Sequence, residues 1–188
     1  MEEYRLNYGS DKEIHSFKEK EEYSHIEDEL FNNLYRRVFP NIKDIKEVEY
    51  IEGTEGEKLQ KQGIDKILYF RHGMTIKIEE KKRDKDRNDI AIEIWSSYQK
   101  QVPGWIYKLQ SDYLVYAYMP SKRVHIIDIP SLKRAWATNE DEWMKYCERI
   151  AAINETYDTH SVAVTPEMLR KAKVGIMTTS LERKINVN

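Results

Sequence analysis

The sequence has little cysteine, glycine and proline, and it contains no long hydrophobic run. A single cysteine, Cys147, among 188 residues excludes an internal disulfide and fits a reducing compartment. No apolar run approaches the roughly 18 residues that a transmembrane helix needs. The charged N-terminus also lacks the apolar core of a signal peptide. We therefore expect a cytoplasmic protein that has no membrane partner.

The chain also lacks a large excess of charge of either sign. Its 31 basic and 33 acidic residues leave a net charge of −2, which argues against wholesale electrostatic coating of nucleic acid. A local basic groove stays compatible with these numbers, because the basic residues must lie somewhere. Hydrophobic residues make up 40% and charged residues 34%, as in a globular protein with a heavily charged surface. We expect one domain over residues 21–175, an N-terminal arm over 1–20 and a C-terminal tail over 176–188 that frays.

Periodicity predicts an α/β fold, and α+β also fits. Apolar residues recur at spacings of three and four over residues 21–38, which predicts an amphipathic helix that ends before Pro40. The charged segment 41–62 is expected to be a connector. Strands are predicted at residues 64–70, 75–80, 90–95, 112–118, 123–129 and 162–164. Further helices are predicted from Pro130 with Ser131 as a plausible cap, at 139–157 and at 167–173.

This order of elements predicts a central mixed β-sheet of about five strands flanked by helices. The strand over residues 90–95 is apolar on both faces, which favours a central place in that sheet.

The residues with the clearest chemistry lie on two neighbouring strands. Asp65 opens the first strand, and the second ends in Glu79, Glu80, Lys81 and Lys82. Two carboxylates on adjacent strands can share a divalent cation, and a lysine beside them can stabilise developing negative charge. These are the minimum groups for metal-assisted hydrolysis of a phosphodiester.

Two pairs on the second strand satisfy the same acid–any–lysine spacing, Glu79 with Lys81 and Glu80 with Lys82. Ile76 and Ile78 share one face of a strand, so Glu79 and Lys81 share the other. A polar face opposite an apolar face favours Glu79 and Lys81. A β-bulge would bring Glu80 into the site instead, so both registers stay open.

The order of these elements and the spacing of Asp65, Glu79 and Lys81 resemble the PD-(D/E)XK, or restriction-endonuclease-like, nucleases. The resemblance covers about residues 21–136. Gly-Ile-Asp at 63–65, Pro-Gly-Trp at 103–105 and Asp-Tyr-Leu-Val-Tyr at 112–116 also look like segments of small nucleases of phage and mobile elements. The resemblance implies a Mg²⁺-dependent nuclease, with Mn²⁺ as substitute. In such an enzyme Asp65 and Glu79 (or Glu80) would bind the metal and Lys81 would stabilise the transition state. Between Glu79 and Lys81 the family normally has an apolar residue, and this chain has Glu80.

Several other residues are candidates for the same site. The resemblance makes Glu27, or Glu29, on the first helix a further metal ligand. Glu93 lies in an otherwise apolar strand, and such an acid needs a partner or a function. Gln60 and Gln62 are suited to orienting a phosphate or Asp65. The candidates for nucleic-acid binding are Lys82, Arg83, Lys85, Arg87 and Trp105.

Each candidate also has a structural interpretation. Asp65 fits a salt-bridged residue at a strand edge. Residues 79–83 fit a solvated strand end, and Glu27 fits an exposed position on a helix. Trp105 fits core packing better than base stacking. DNA is the expected substrate ahead of RNA, and a homodimer is compatible with cleavage of both strands. The rival functions are a catalytically inactive nucleic-acid-binding or protein-interaction module with this fold and an assembly protein with an unrelated α/β fold.

Overall fold

The protein is described by a computed structural model over residues 17–153 and 158–182, and it has a mixed α/β fold. The N-terminal elements are α1 (Phe17–Val38), β1 (Ile42–Glu47), α2 (Glu55–Lys61), β2 (Lys66–Phe70), β3 (Thr75–Arg83), β4 (Ile90–Ser97), β5 (Val102–Pro103) and α3 (Trp105–Lys108). The C-terminal elements are β6 (Tyr113–Tyr118), β7 (Arg123–Asp128), α4 (Ile129–Tyr146), β8 (Arg149–Ile153), β9 (Asp158–Val164), α5 (Pro166–Lys171) and β10 (Ile176–Ser180).

The larger sheet has six strands in the order β1-β2-β3-β6-β7-β10. Strands β1, β2 and β3 form an antiparallel meander, and β3 then pairs in parallel with β6. β7 continues antiparallel to β6, and β10 to β7. The predicted mixed sheet flanked by helices is therefore confirmed, with one strand more than the five expected.

Helix α1 covers one face of this sheet. Phe31, Leu34 and Tyr35 are fully buried there and pack with Leu68 and Ile78. The helix ends at Val38, as predicted, but it begins at Phe17, so the last part of the expected arm is helical. Residues 1–16, the rest of that arm, lie outside the described residues.

A smaller sheet, in the order β5-β4-β9-β8, lies on the opposite side together with α4. The expectation that residues 90–95 run through the centre of the main sheet was wrong, because β4 pairs with β5 and β9 instead. Ile90, Ile92 and Ile94 are buried against α4 and the main sheet. Apolar residues on both faces of a strand show that both faces are buried. A strand of the smaller sheet that is covered on both sides has the same pattern as a central strand of the main sheet.

The segment after Asp128 differs from the two predicted helices. It forms one helix, α4, whose cap is Asp128 and not Ser131: the Asp128 carboxylate accepts a 2.7 Å hydrogen bond from the Ser131 backbone N–H. The predicted helix over 139–157 was wrong beyond Tyr146, because β8 follows and pairs with β9. Pairing with a distant strand overrides local helix propensity here. Residues 154–157 lie outside the described residues.

The predicted connector and tail also contain regular structure. Residues 41–62 include the charged edge strand β1 and the helix α2. The tail predicted over 176–188 was wrong in its first part, because β10 extends the main sheet beside β7. Residues 183–188 lie outside the described residues. Of the helices in the described ranges, none has the length and apolar character needed to span a membrane.

Candidate active site

Asp65 is fixed by the backbone of two neighbouring strands. Its N–H donates to the carbonyl of Ile78 at 2.8 Å, and its carbonyl accepts from the N–H of Val48 at 2.8 Å. The Asp65 carboxylate accepts a 2.7 Å hydrogen bond from the backbone N–H of Glu80. This bond joins the residue that precedes β2 to the interior of β3. It holds the Asp65 carboxylate next to Glu79.

Glu79 is a buried carboxylate, with 5% of the residue exposed. It forms an ion pair with the Lys81 ammonium on the same face of β3, and the Asp65 side chain is close enough to influence its ionisation. Burial, with a further contribution from the negative charge of Asp65, raises the pKa of Glu79 to about 7, and Lys81 opposes that rise. Asp65, Glu79 and Lys81 therefore form one contiguous group, as the sequence predicts.

The loop before β2 packs directly on this group. Gly63 has a φ of +69°, which a glycine adopts without strain. A Cβ at position 63 would lie 3.1 Å from Oε2 of Glu79 and would collide with the Leu109 side chain. A glycine at this position lets the backbone close over the carboxylate and exclude water from one side of it.

Glu80 lies on the opposite face of β3, against α1. Its carboxylate accepts a 2.6 Å hydrogen bond from the Tyr35 hydroxyl and lies 3.7 Å from the Lys66 ammonium. Lys66 is 3.0 Å from Asp28 of α1, and its side chain is 3% exposed. Burial raises the pKa of Glu80, and the positive charge of Lys66 opposes that rise. We call Asp28, Tyr35, Lys66 and Glu80 the α1-side cluster.

Asp65 also borders the side of the sheet that α1 covers. Together with Gln60 and three members of the α1-side cluster it lines a cavity of about 380 Å³. The Asp65 carboxylate accepts its hydrogen bond from the backbone of Glu80, not from its side chain, whereas it interacts with the side chain of Glu79. For this reason we assign Asp65 to the Glu79 group.

The acids predicted on α1 do not join Glu79. Glu27, expected as a metal ligand, pairs with Lys82 at 3.0 Å on the α1 side of the sheet. Glu29 is exposed. The two glutamines have other partners as well: the Gln60 side chain donates to the Val48 carbonyl, and the Gln62 carbonyl accepts from the Gln110 backbone. Strand alternation separates Glu27 from the Glu79 side, since it directs Lys82 and Glu80 to the face that α1 covers.

Glu93 is held on β4 by two hydrogen bonds. Its carboxylate accepts from the Ser96 hydroxyl at 2.6 Å and from the Trp105 backbone N–H at 3.2 Å. The same residue lines a cleft of about 190 Å³ between β3 and the smaller sheet, with Lys81 and Arg83 on the opposite wall. Glu93 thus shares a cleft with the lysine of the site.

The predicted basic segment is divided between two faces. β3 extends through Arg83. The Lys82 ammonium pairs with Glu27 and lies over the Phe31 ring, 5.1 Å from its centroid, and Lys82 also borders the cleft that Arg83 lines. Lys85 is exposed and Arg87 is half-buried. Trp105 is 8% exposed and belongs to the core, which agrees with its packing interpretation and leaves little ring surface for a base.

A hard divalent cation fits the donor set of Asp65 and Glu79. Mg²⁺ prefers oxygen ligands and retains several waters, so one or two carboxylates with a substrate phosphate suffice. Within residues 17–153 and 158–182, however, no group of three or more histidine, cysteine or acidic side chains is arranged to hold a metal. Any ion at this site therefore depends on the two carboxylates, water and substrate.

The α1-side cluster was missed by the sequence analysis, although one signal for it was present. Lys66 shares a strand face with Leu68 and Phe70, which are buried. A lysine within an apolar stripe needs a buried partner, and that partner is found on α1 and β3.

Comparisons of the chain with family models, with curated proteins and with solved structures found no match.

Proposed function

We propose that the protein is a Mg²⁺-dependent nuclease of the PD-(D/E)XK type that hydrolyses phosphodiester bonds in DNA. The observation that carries the proposal is the buried Glu79 carboxylate, which contacts both Asp65 and Lys81. Two neighbouring acids repel each other when both are ionised, and a bound cation relieves that repulsion. Burial is the main cause of the raised pKa of Glu79, and the negative charge of Asp65 raises it further.

Each residue of the group has a distinct role in this proposal. Asp65 and Glu79 hold the ion, with Mn²⁺ as a substitute for Mg²⁺. Bound Mg²⁺ supplies a polarised phosphoryl oxygen and a water of lowered pKa. Lys81, whose side chain is 37% exposed toward the cleft, stabilises the negative charge that develops on the phosphoryl oxygens. Glu93 lines the opposite wall, and its carboxylate accepts a hydrogen bond from the backbone N–H of Trp105, which positions the start of α3.

The topology around the site is compatible with the proposed family. A helix, an antiparallel meander and a strand parallel to β3 occur in that order. The connection from β3 to β6 contains the strands β4 and β5 and the four-residue helix α3. The inserted strand β4 supplies Glu93 to the cleft.

Cleavage assays test the proposal directly. The purified protein is incubated with single-stranded and duplex DNA and with RNA in Mg²⁺, in Mn²⁺ and in EDTA. We expect metal-dependent cleavage that is lost in Asp65→Ala and Lys81→Ala, with Lys61→Ala as an exposed lysine control. Cleavage that survives both substitutions, or no cleavage of any nucleic acid tried, contradicts the proposal.

A catalytically inactive binding module is the second candidate. The observation that favours it is that the described residues offer a cation only two carboxylates and no third ligand. This alternative predicts salt-sensitive retention of DNA without cleavage, weakened by charge reversal at Lys82, Arg83 and Arg87. The same cleavage assay separates the two functions.

We also propose that the protein is cytoplasmic. Cys147 follows α4 directly, is half-buried, and has its thiol pKa raised by burial. A free thiol of this kind is compatible with a reducing compartment.

A further inference from the structure

An aromatic pocket lies on the smaller sheet, outside the group of Asp65, Glu79 and Lys81. It has a volume of about 290 Å³, and more of its lining is apolar than polar. Trp95 and Tyr98 at the end of β4, His160 on β9 and Arg149 on β8 contribute to its walls. Aromatic rings combined with an arginine are the usual surroundings of an unpaired nucleobase.

Two rings of this pocket are already stacked on each other. Tyr98 and His160 are stacked, with centroids 4.3 Å apart and an interplanar angle of 18°. Trp95 meets Tyr98 edge-on, with centroids 6.4 Å apart. Tyr98 is 53% exposed although it is a large aromatic residue. Its backbone N–H donates to the Asp158 carbonyl at 2.9 Å, which fixes the stack at the end of the sheet.

The aromatic pocket adjoins the cleft that contains Lys81. Ile150 and Ser161 line both spaces. Along β4, Glu93 lines the cleft and Trp95, two residues further, lines the pocket, a separation of about 7 Å in an extended strand. A single nucleic-acid strand can therefore run from the cationic wall of the cleft to the aromatic stack.

We propose that the Tyr98–His160 stack binds an unpaired nucleobase of a strand whose phosphates lie at Lys81 and Arg83. This inference rests on the proposed function and specifies the substrate of that site as single-stranded or unpaired nucleic acid. A base within a duplex is already paired and stacked on its neighbours, so the ring stack suits an unpaired base rather than a duplex. The opposing charges of the phosphates and of Lys81 and Arg83 favour a nucleic acid over an apolar peptide.

The test is a binding assay in EDTA, where metal-dependent cleavage does not interfere. Fluorescence anisotropy is measured with one labelled oligonucleotide, free or annealed to its complement. Tyr98→Ala is compared with Tyr50→Ala, a tyrosine of similar exposure (59%) in the β1–α2 connection. Because stacking contributes about 1–3 kcal/mol per base, we expect Tyr98→Ala to weaken single-strand binding about tenfold or more. Tyr50→Ala and duplex binding should remain within about twofold of the wild type.

Three results would overturn the inference. One is an unchanged single-strand affinity in Tyr98→Ala with its circular dichroism spectrum intact. Another is an equal loss for duplex and single strand. The third is a change only in self-association, by light scattering, which would identify the patch as a protein interface.

Failure of this inference is distinguishable from failure of the nuclease function. Metal-dependent cleavage by the wild type with no Tyr98 effect overturns the base-stacking inference alone. A Tyr98 effect in a protein that cleaves nothing supports base stacking and overturns the nuclease function alone.

Discussion

The two faces of β3 each contain a glutamate and a lysine, yet their surroundings are different. On one face, Glu79 is in contact with Asp65 and Lys81 beside a cleft. On the other, Glu80 is held by Tyr35 and Lys66 under α1. On the first face two acids lie together beside one lysine, and on the second Lys66 lies between Glu80 and Asp28. This difference teaches that the same residue types one position apart can have different partners and different exposure on the two faces of one strand.

The largest expected effect is on cleavage, and it separates the two glutamates. Glu79→Gln should lower Mg²⁺-dependent cleavage by about a hundredfold or more, because a neutral amide replaces a metal-binding carboxylate. Glu80→Gln should retain cleavage per folded molecule, since its side chain lies on the α1 side. The measurement is the initial rate of oligonucleotide cleavage, normalised to the folded fraction from circular dichroism. Equal losses of cleavage in Glu79→Gln and Glu80→Gln would contradict the different roles given to the two faces of β3.

The next effect is on stability, and it belongs to the α1 side. Lys66→Met leaves the buried Glu80 and the partly exposed Asp28 without their shared cation, and removing one partner of a buried pair costs about 3–5 kcal/mol. Urea unfolding should show a clear fall in midpoint. Lys61→Met, at a lysine with 67% of its side chain exposed, is the matched control and should leave the midpoint unchanged. A Lys66 variant as stable as this control would show that the cluster contributes nothing to the fold.

The pH dependence of the free energy of unfolding tests the ionisation of Glu79 without an activity assay. In EDTA the folded state keeps the Glu79 proton up to about pH 7, whereas the unfolded chain releases it near 4.5. The folded state then binds more protons in that window, so the free energy of unfolding falls as pH rises, by up to about 1.4 kcal/mol per unit.

The Glu79→Gln variant should lack this part of the pH dependence. Burial lowers the pKa of His125 to about 4, which gives stability that grows with pH, but His125 contributes equally to both proteins and cancels in their difference. Urea titrations at several pH values supply that difference. Parallel curves for the two proteins would mean that Glu79 ionises normally.

The smallest expected effect concerns the lysine of the second pair. Lys82→Ala removes a partly exposed ion pair with Glu27, which is worth about 0.2–1 kcal/mol and is screened by salt. Its cleavage rate should stay near that of the wild type, in contrast to Lys81→Ala. A larger loss of cleavage in Lys82→Ala than in Lys81→Ala would reverse the assignment of the two faces.

The alternation of β3 made the Asp65, Glu79 and Lys81 group predictable, because side chains two residues apart share a face. Its α1-side counterpart was not predictable in detail. The partners of Glu80 depend on how α1 crosses the sheet, and nothing in the spacing along the chain specifies that. The signal at Lys66 indicated a buried partner without identifying it.

The errors in the fold have similar physical causes. Apolar residues on both faces of β4 predict burial but not the sheet to which the strand belongs. β8 and β10 form because β9 and β7 offer them pairing edges, and such long-range pairing leaves little local trace in Arg149–Ile153 or Ile176–Ser180. The α1, β2 and β3 elements were predicted more closely because their apolar patterns are local.

The most direct test of the account is the position of a bound divalent ion. Crystals soaked in Mn²⁺ and measured at its absorption edge would locate the ion by anomalous scattering. The account predicts a peak coordinated by the carboxylates of Asp65 and Glu79, close to Lys81 and absent in Glu79→Gln. A peak between Asp28 and Glu80 on the α1 side, or no peak at Asp65 at saturating Mn²⁺, would contradict it.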